Sequence, residues 1–261
     1  MAARARRQGP SFNTREYLYG FHPVMEALIA RRRTIHQLMV DRRNLSDRQA
    51  QLAHLAEQQQ IPLNVVTVQQ LRAACGTDQH QGVAAVVSAL PTDELASIVG
   101  RNDAERKQCL LMLLDSIKDP NNLGAIVRSA HCAGASGLVI PKDRAAGATP
   151  AVSKASAGAL EHTRLCRVTN LAGSIQWLKK QGIWVAGLAA QASQSVFEAD
   201  LKGPLALVVG GEEKGIRPLV RQHCDYLISI PLKGRVDSLN ASAAAAVVLY
   251  EAFRQRGGDG Q

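Results

Sequence analysis

Three segments of this chain concentrate the residue types that bind anions and let a backbone approach a ligand. The first, DSIKDPNNLGAIVRSA, runs from Asp115 to Ala130. Its Asp closes an apolar stretch, Pro120 with two Asn forces a turn, and a helix starts near Asn122. Asn is a good helix cap, and free amides at such a helix start can meet an anion. Arg128 falls about one and a half turns into the helix, on the face that begins with Asn121 and Gly124. The second segment, VVGGEEKGIRP, places Gly210, Gly211 and Gly215 where a loop must come close to a ligand or take positive φ. It is neither a Walker loop nor GxGxxG, because Gly215 is followed by Ile216 and Arg217. The third, ISIPLKGRVDSLNASAAAA, ends a strand at Pro231 and offers Ser238 or Asn240 as the cap of a last helix. The small side chains of Ala243–Ala246 allow close packing against that helix. A capped helix, a glycine turn and a capped terminal helix account for the three segments equally well when each is taken alone.

The elements that position these segments follow from hydrophobic periodicity. From Gln108 onward, strands are expected at Cys109–Asp115, Gly137–Ile140, Thr163–Val168, Trp184–Ala189, Leu205–Val209 and Tyr226–Ile230. Helices are expected at Leu123–Ala133, Pro150–Leu160, Leu171–Gln181 and Ala241–Arg256. Continuous apolar strands such as LMLLD and LALVVG predict a parallel sheet buried on both faces, in a right-handed, multiply wound α/β domain. Ligands of such sheets lie beyond the carboxyl ends of the strands, where all three segments fall. A smaller α/β unit precedes it at residues 17–87. Its strands are expected at Ile35–Asp41, Leu63–Val66 and Gly82–Val87, and its helices at Pro23–Arg31, Asp47–Gln59 and Val68–Ala74. Residues 88–107 read as a linker with at most one short helix, and residues 1–16 as a disordered basic arm.

Composition limits the function classes. The 261 residues carry a formal net charge of +9, and the sequence pI is about 9.6, which suits a polyanionic partner. The excess is front-loaded: residues 1–48 hold ten Lys/Arg against four Asp/Glu, with clusters at Arg4, Arg6 and Arg7 and at Arg31, Arg32 and Arg33. The second cluster is the candidate RNA contact. The five cysteines show no CxxC spacing and the seven histidines no HExxH, so neither a metal nor a disulfide framework is expected. No apolar run is long enough for a membrane span and no secretory signal is evident, which makes a soluble, cytoplasmic protein the expectation.

Taken together and in order, D-x-x-x-D-P-x-N-L-G-x-x-x-R, G-x-E-x-x-G-x-R and I-P-x-x-G-x-x-x-S-L-N form a specific triple. The chain thereby resembles the SpoU branch of the SPOUT RNA ribose methyltransferases. Within that branch it is most similar to members acting on a guanosine of the peptidyl-transferase-centre loop of 23S ribosomal RNA. The likeness extends through Tyr19-Gly20-Phe21-His22, His80-Gln81-Gly82-Val83 and Ile140-Pro141-Lys142-Asp143-Arg144 to the C-terminus.

The resemblance implies a catalytic domain at 108–261 with a deep trefoil knot, preceded by a ribosomal-protein-like (L30e-like) RNA-binding domain. It implies S-adenosylmethionine as methyl donor, held by backbone groups at Gly210, Ile230 and Leu239. It implies a homodimer with each active site completed at the subunit interface, and 23S rRNA or a large-subunit assembly intermediate as partner. Functional roles carry over to Asn122, Arg128, Glu212, Ser238 and Asn240. Arg128 is the family's favoured base, yet a guanidinium rarely gives up its proton. A grip on the neighbouring phosphate, with polarisation of the hydroxyl, is the more physical role. Departures from the family pattern are Glu213 and Lys214 in the second segment, the charged Lys233, Arg235 and Asp237, and Ala245 and Ala246. Three other readings remain: the same chemistry on tRNA or another rRNA site, a non-catalytic assembly factor on the same fold, and a nicotinamide oxidoreductase. The last lacks the dinucleotide fingerprint and a His/Lys/Tyr catalytic set.

Overall fold

The computed structural model describes residues 15–42, 47–100, 102–212 and 214–257. Arg4, Arg6 and Arg7 of the basic arm and Glu213 of the second segment lie outside them. The chain divides into two compact units, Met1–Pro91 and Thr92–Gln261.

The first unit runs β1 (Arg15–Tyr19), α1 (Phe21–Ala30), β2 (Ile35–Asp41), α2 (Asp47–Gln58), β3 (Leu63–Val66), α3 (Val68–Cys75) and β4 (Val83–Ser88). Its four-stranded sheet has the order β1-β4-β2-β3, antiparallel except for β2 and β3. Leu18, Val24, Leu28, Leu38, Leu52 and Val87 form its core. Strand β1 starts within residues read from sequence as the basic arm. It is held there because Leu18 is buried and because Glu16 meets the guanidinium of Arg33.

The second unit opens with α4 (Leu95–Val99) and α5 (Asp103–Lys107). These occupy the stretch read as a linker with one short helix. Ile98 and Val99 are buried in this unit's core, and Ile98 packs where Gly137 leaves room for it. Two buried residues in so short a run were too weak a periodic signal to separate it from a loop.

The unit continues with β5 (Leu110–Asp115), α6 (Pro120–Cys132), β6 (Gly137–Pro141), α7 (Pro150–Ala155), α8 (Ala159–His162), β7 (Leu165–Val168) and α9 (Leu171–Lys180). Then follow β8 (Trp184–Leu188), β9 (Gln194–Ser195), β10 (Leu205–Gly210), α10 (Pro218–His223), β11 (Tyr226–Ser229) and α11 (Ala241–Gln255). All pairings of the seven-stranded sheet, order β7-β6-β5-β10-β8-β11-β9, are parallel.

Every residue of β5 is buried, and each of its leucines contributes about 1.5–3 kcal/mol by leaving water. The helix expected over Pro150–Leu160 is broken into α7 and α8, because Ala157 and Gly158 take left-handed backbone. The break lets buried Glu161 accept a hydrogen bond from Ser153 Oγ at 2.7 Å. Helix α11 packs on α6. Among the described residues, no helix is long and apolar enough to cross a membrane.

Candidate active site

Strands β5 and β10 are neighbours, with Asp115 and Gly210 paired in register at their carboxyl ends. This pairing brings the first two segments together. Asp115 is wholly buried, and its carboxylate holds the second loop: Oδ2 accepts the backbone N–H of Arg217 at 2.8 Å and Oδ1 accepts Arg217 Nε at 2.7 Å. Its carbonyl accepts Gly211 N at 2.9 Å, and Gly215 N returns to Gly211 O at 2.9 Å, closing a tight loop. A side chain at Gly210 would collide with the backbone of Gly215 and Ile216, and Gly215 has φ +60°. Both positions need glycine for these reasons.

The cap of α6 is Asp119, whose carboxylate accepts Asn121 N at 3.1 Å and Asn122 N at 3.3 Å, with Pro120 opening the helix. The expectation of a helix starting at a capping Asn122 is therefore corrected. Asp is as good a cap as Asn, and Pro is favoured immediately after one. The side chain of Asn122 is consequently free for tertiary work, and its Nδ2 donates to Glu212 Oε1. Gly124 lies against Ala155, where any Cβ would collide, so α6 and α7 pack with backbones in close approach.

Asn240 caps α11. Its Oδ1 accepts Ser242 N at 2.9 Å, Ser242 Oγ at 2.6 Å and Ala243 N at 3.4 Å. That use of the oxygen fixes which way the amide faces, and Nδ2 donates to Glu212 Oε1 at 2.8 Å and Asn122 Oδ1 at 3.0 Å. One residue from each segment thus meets in a single cluster, with Glu212 Oε1 as the shared acceptor. Next to it lies a cavity of about 140 Å³ walled by Gly210, Glu212, Ile230, Ser238, Leu239 and Ala244. Most of its lining is small or apolar side chains, with Glu212, Asp237 and Ser238 as the polar exceptions, the make-up of a pocket that encloses an apolar body and orients it through a few polar groups.

The sequence-derived residues therefore separate into groups. Asn122, Glu212 and Asn240 are bonded to one another, while Gly210, Ile230, Leu239 and Ser238 wall the adjoining cavity. Arg128 is exposed on α6 and makes no hydrogen bond or ion pair to any described residue. In the first unit, Arg31 and Arg32 are at least partly exposed. Arg33 is not a surface cation: its side chain is buried, with Nη1 3.4 Å from both Glu16 Oε2 and the Ser88 carbonyl. Burial raises the Glu16 carboxyl above its usual value, and the Arg33 charge pulls it back. A guanidinium held inside the fold is not available to a phosphate, which corrects the reading of Arg33 as an RNA contact.

Sequence reasoning passed over Asp115 and Arg217 as functional residues. The available signal was a carboxylate ending a run of five apolar residues, with its Arg partner at the far end of the second segment.

Comparison with known proteins bears on both units. The model of the SpoU rRNA Methylase family matches residues 109–250, and that of RNA 2'-O ribose methyltransferase substrate binding matches residues 17–92. The 23S rRNA (guanosine-2'-O-)-methyltransferase RlmB of Ralstonia nicotianae is 41% identical, over 92% of this chain and 95% of its own. The RlmB of Xylella fastidiosa is 39% identical, over 92% and 97%. Among solved structures, the SpoU methyltransferase AviRb from Streptomyces viridochromogenes in complex with AdoMet aligns with TM-score 0.79 at 29% identity, covering 94% of this chain and 91% of that one. The A. aeolicus TrmH/SpoU tRNA modifying enzyme aligns with TM-score 0.52 at 28% identity, over 58% of this chain and 79% of that one. With three ordered segments converging at the carboxyl ends of the parallel strands and family matches over both units, the chain belongs to the SpoU rRNA methylase family.

Proposed function

We propose that this protein transfers a methyl group from S-adenosylmethionine to the ribose 2'-hydroxyl of a guanosine in the peptidyl-transferase-centre loop of 23S rRNA. The observation that carries the reading is that Glu212 belongs to both the Asn122–Asn240 cluster and the wall of the Gly210–Ile230–Leu239 cavity. A donor site and a polar site for a sugar are therefore contiguous. The mainly small and apolar lining, with Glu212, Asp237 and Ser238 as polar groups, fits the donor's adenosine moiety, with Gly210, Ile230 and Leu239 as the residues that would hold it. When bound, S-adenosylmethionine supplies an electrophilic methyl group on its sulfonium.

The chain's own task is to hold a ribose oxygen in line with that methyl and to draw off its proton, so positioning carries most of the catalysis. Asn122, Ser238 and Asn240 orient the ribose or Arg128, and the shared Glu212 oxygen keeps the two amides in place. Arg128, with its guanidinium unspent, grips the neighbouring phosphate and polarises the hydroxyl. The last segment of the 108–261 domain is tucked through a loop in a deep trefoil knot, and a homodimer completes each active site. The first unit is an L30e-like module delivering the RNA, with Arg31 and Arg32 among its contacts, and the protein works in the cytoplasm.

The relatives named as 23S rRNA methyltransferases align over 92% of this chain and the tRNA modifying enzyme over 58%, which favours a ribosomal target over the same chemistry on tRNA. The intact cluster argues against a purely binding assembly factor, which has no need of a methyl-donor site. Mapping 2'-O-methylation across ribosomal and transfer RNAs, in cells with and without the protein, tests the reading. Loss of one guanosine methylation in 23S rRNA is expected; an unchanged 23S map with a lost tRNA methylation would redirect it.

A further inference from the structure

A second cavity, of about 460 Å³, shares Gly211, Glu212 and Gly215 with the first. Four of the residues lining it are cationic: Lys118, Arg144, Lys214 and Arg217. Two are acidic, and both are occupied. Asp119 caps α6 through both oxygens, and Glu212 receives Asn122 and Asn240. The charge of Arg217 is answered by Asp115. Lys118, Arg144 and Lys214 make no hydrogen bond or ion pair to any described residue.

The backbone carries these cations to one place. Ala146 N donates to Ile117 O at 2.8 Å, tying the β6–α7 loop that bears Arg144 to the β5–α6 loop that bears Lys118. Ser116 and Arg144 are non-glycine residues with φ of +69° and +60°, and both line the cavity. Strain of this kind persists where the surrounding structure enforces it, commonly at functional sites.

We propose that this cavity is the seat of an RNA phosphodiester flanking the methylated ribose, gripped by Lys118, Arg144 and Lys214. The inference rests on the methyltransferase reading and adds to it a phosphate subsite separate from Arg128, which is not on this wall. A phosphate is favoured over a base because the lining offers converging cations and no aromatic ring on which a base would stack. Three loops contribute one cation each, so the charge is focused by the fold rather than spread along one helix face.

The test uses the full-length protein, a 23S rRNA fragment containing the target loop, and S-adenosylmethionine. Lys118→Gln, Arg144→Gln and Lys214→Gln are each compared with wild type for RNA affinity across a salt series, donor affinity by calorimetry, and single-turnover methylation. Each variant is expected to weaken RNA binding about 3- to 10-fold and to lower the slope of log K against log salt by roughly 0.7–0.9, the loss of one phosphate contact. Donor affinity is expected to stay within about twofold, with Lys118→Arg restoring RNA binding. Unchanged RNA affinity and salt slope in all three variants, with wild-type methylation intact, overturns the subsite alone. Weakened donor binding with unaltered RNA binding overturns it too, and assigns the cations to the donor's carboxylate. A wild-type protein that binds no donor overturns the parent reading, and the subsite with it.

Discussion

Asp115 and Arg217 are 102 residues apart in the chain, and their side chains meet at 2.7 Å. The carboxylate is fully buried while the guanidinium is partly exposed. A buried carboxylate is tolerated only when paired and hydrogen-bonded, and here its partners are the Arg217 side chain and backbone. The pair fastens the loop that follows Gly210 and bears Glu212 to the strand that precedes Asn122, so it sets the spacing of the cavity walled by Gly210, Ile230 and Leu239 and the polar cluster.

Arg217→Ala should therefore cost about 3 kcal/mol, the low end for breaking a buried pair. In a chain of this size that is roughly 6–12 °C in Tm. Thermal unfolding checks the stability. Calorimetry with S-adenosylmethionine checks whether the loop also loses its grip on the donor, the expected direction being weaker binding.

Glu212 acts through one oxygen shared by two amides. Glu212→Gln retains a carbonyl acceptor at that place, whereas Glu212→Ala leaves the Asn122 and Asn240 donors without it. Single-turnover methylation should fall about 100-fold in the Ala variant, the usual cost of losing a preorganised polar contact, and far less in the Gln variant. Equal losses in both would mean that the charge, and not the acceptor geometry, is what matters.

Arg128 makes no contact of its own with the described residues, so its substitution should leave stability unchanged and show only in catalysis. Arg128→Lys keeps the charge but loses the planar fork, and kcat/KM should drop about 10- to 100-fold, the worth of a charged hydrogen bond. Rate against pH should keep its shape. Near-wild-type turnover in this variant would defeat the bidentate grip.

Hydrogen bonds from Arg254 and Gln255 hold the Glu251 carboxyl down at about 2, well below its usual value of 4.5. The folded value lies under the unfolded one. The stabilisation is therefore fully present above about 4.5 and is lost as pH falls toward 2. Gln255 also bonds Ala199 O at 3.0 Å and Leu201 N at 2.8 Å, so acid should loosen the attachment of α11 to the 199–201 loop. Urea midpoints measured between pH 5 and pH 3 should decline more steeply in wild type than in Glu251→Gln.

Much of the second unit was legible from local pattern alone. The apolar runs of β5 and β10 specify strands buried on both faces, and their alternation with helices specifies a parallel sheet. Gly210 and Gly215, and a polar residue ahead of α11, were readable as loop and cap signals because those preferences reside in single residues. Periodicity reports which way a residue faces but not which strand or charge lies beside it. The adjacency of β5 and β10, the choice of Asp119 over Asn122 as cap, the inward turn of Arg33 and the burial of Ile98 all depend on distant partners. Tertiary structure decided these, because each is the outcome of competition among several chemically adequate contacts, and only the packed chain determines which of them are within reach.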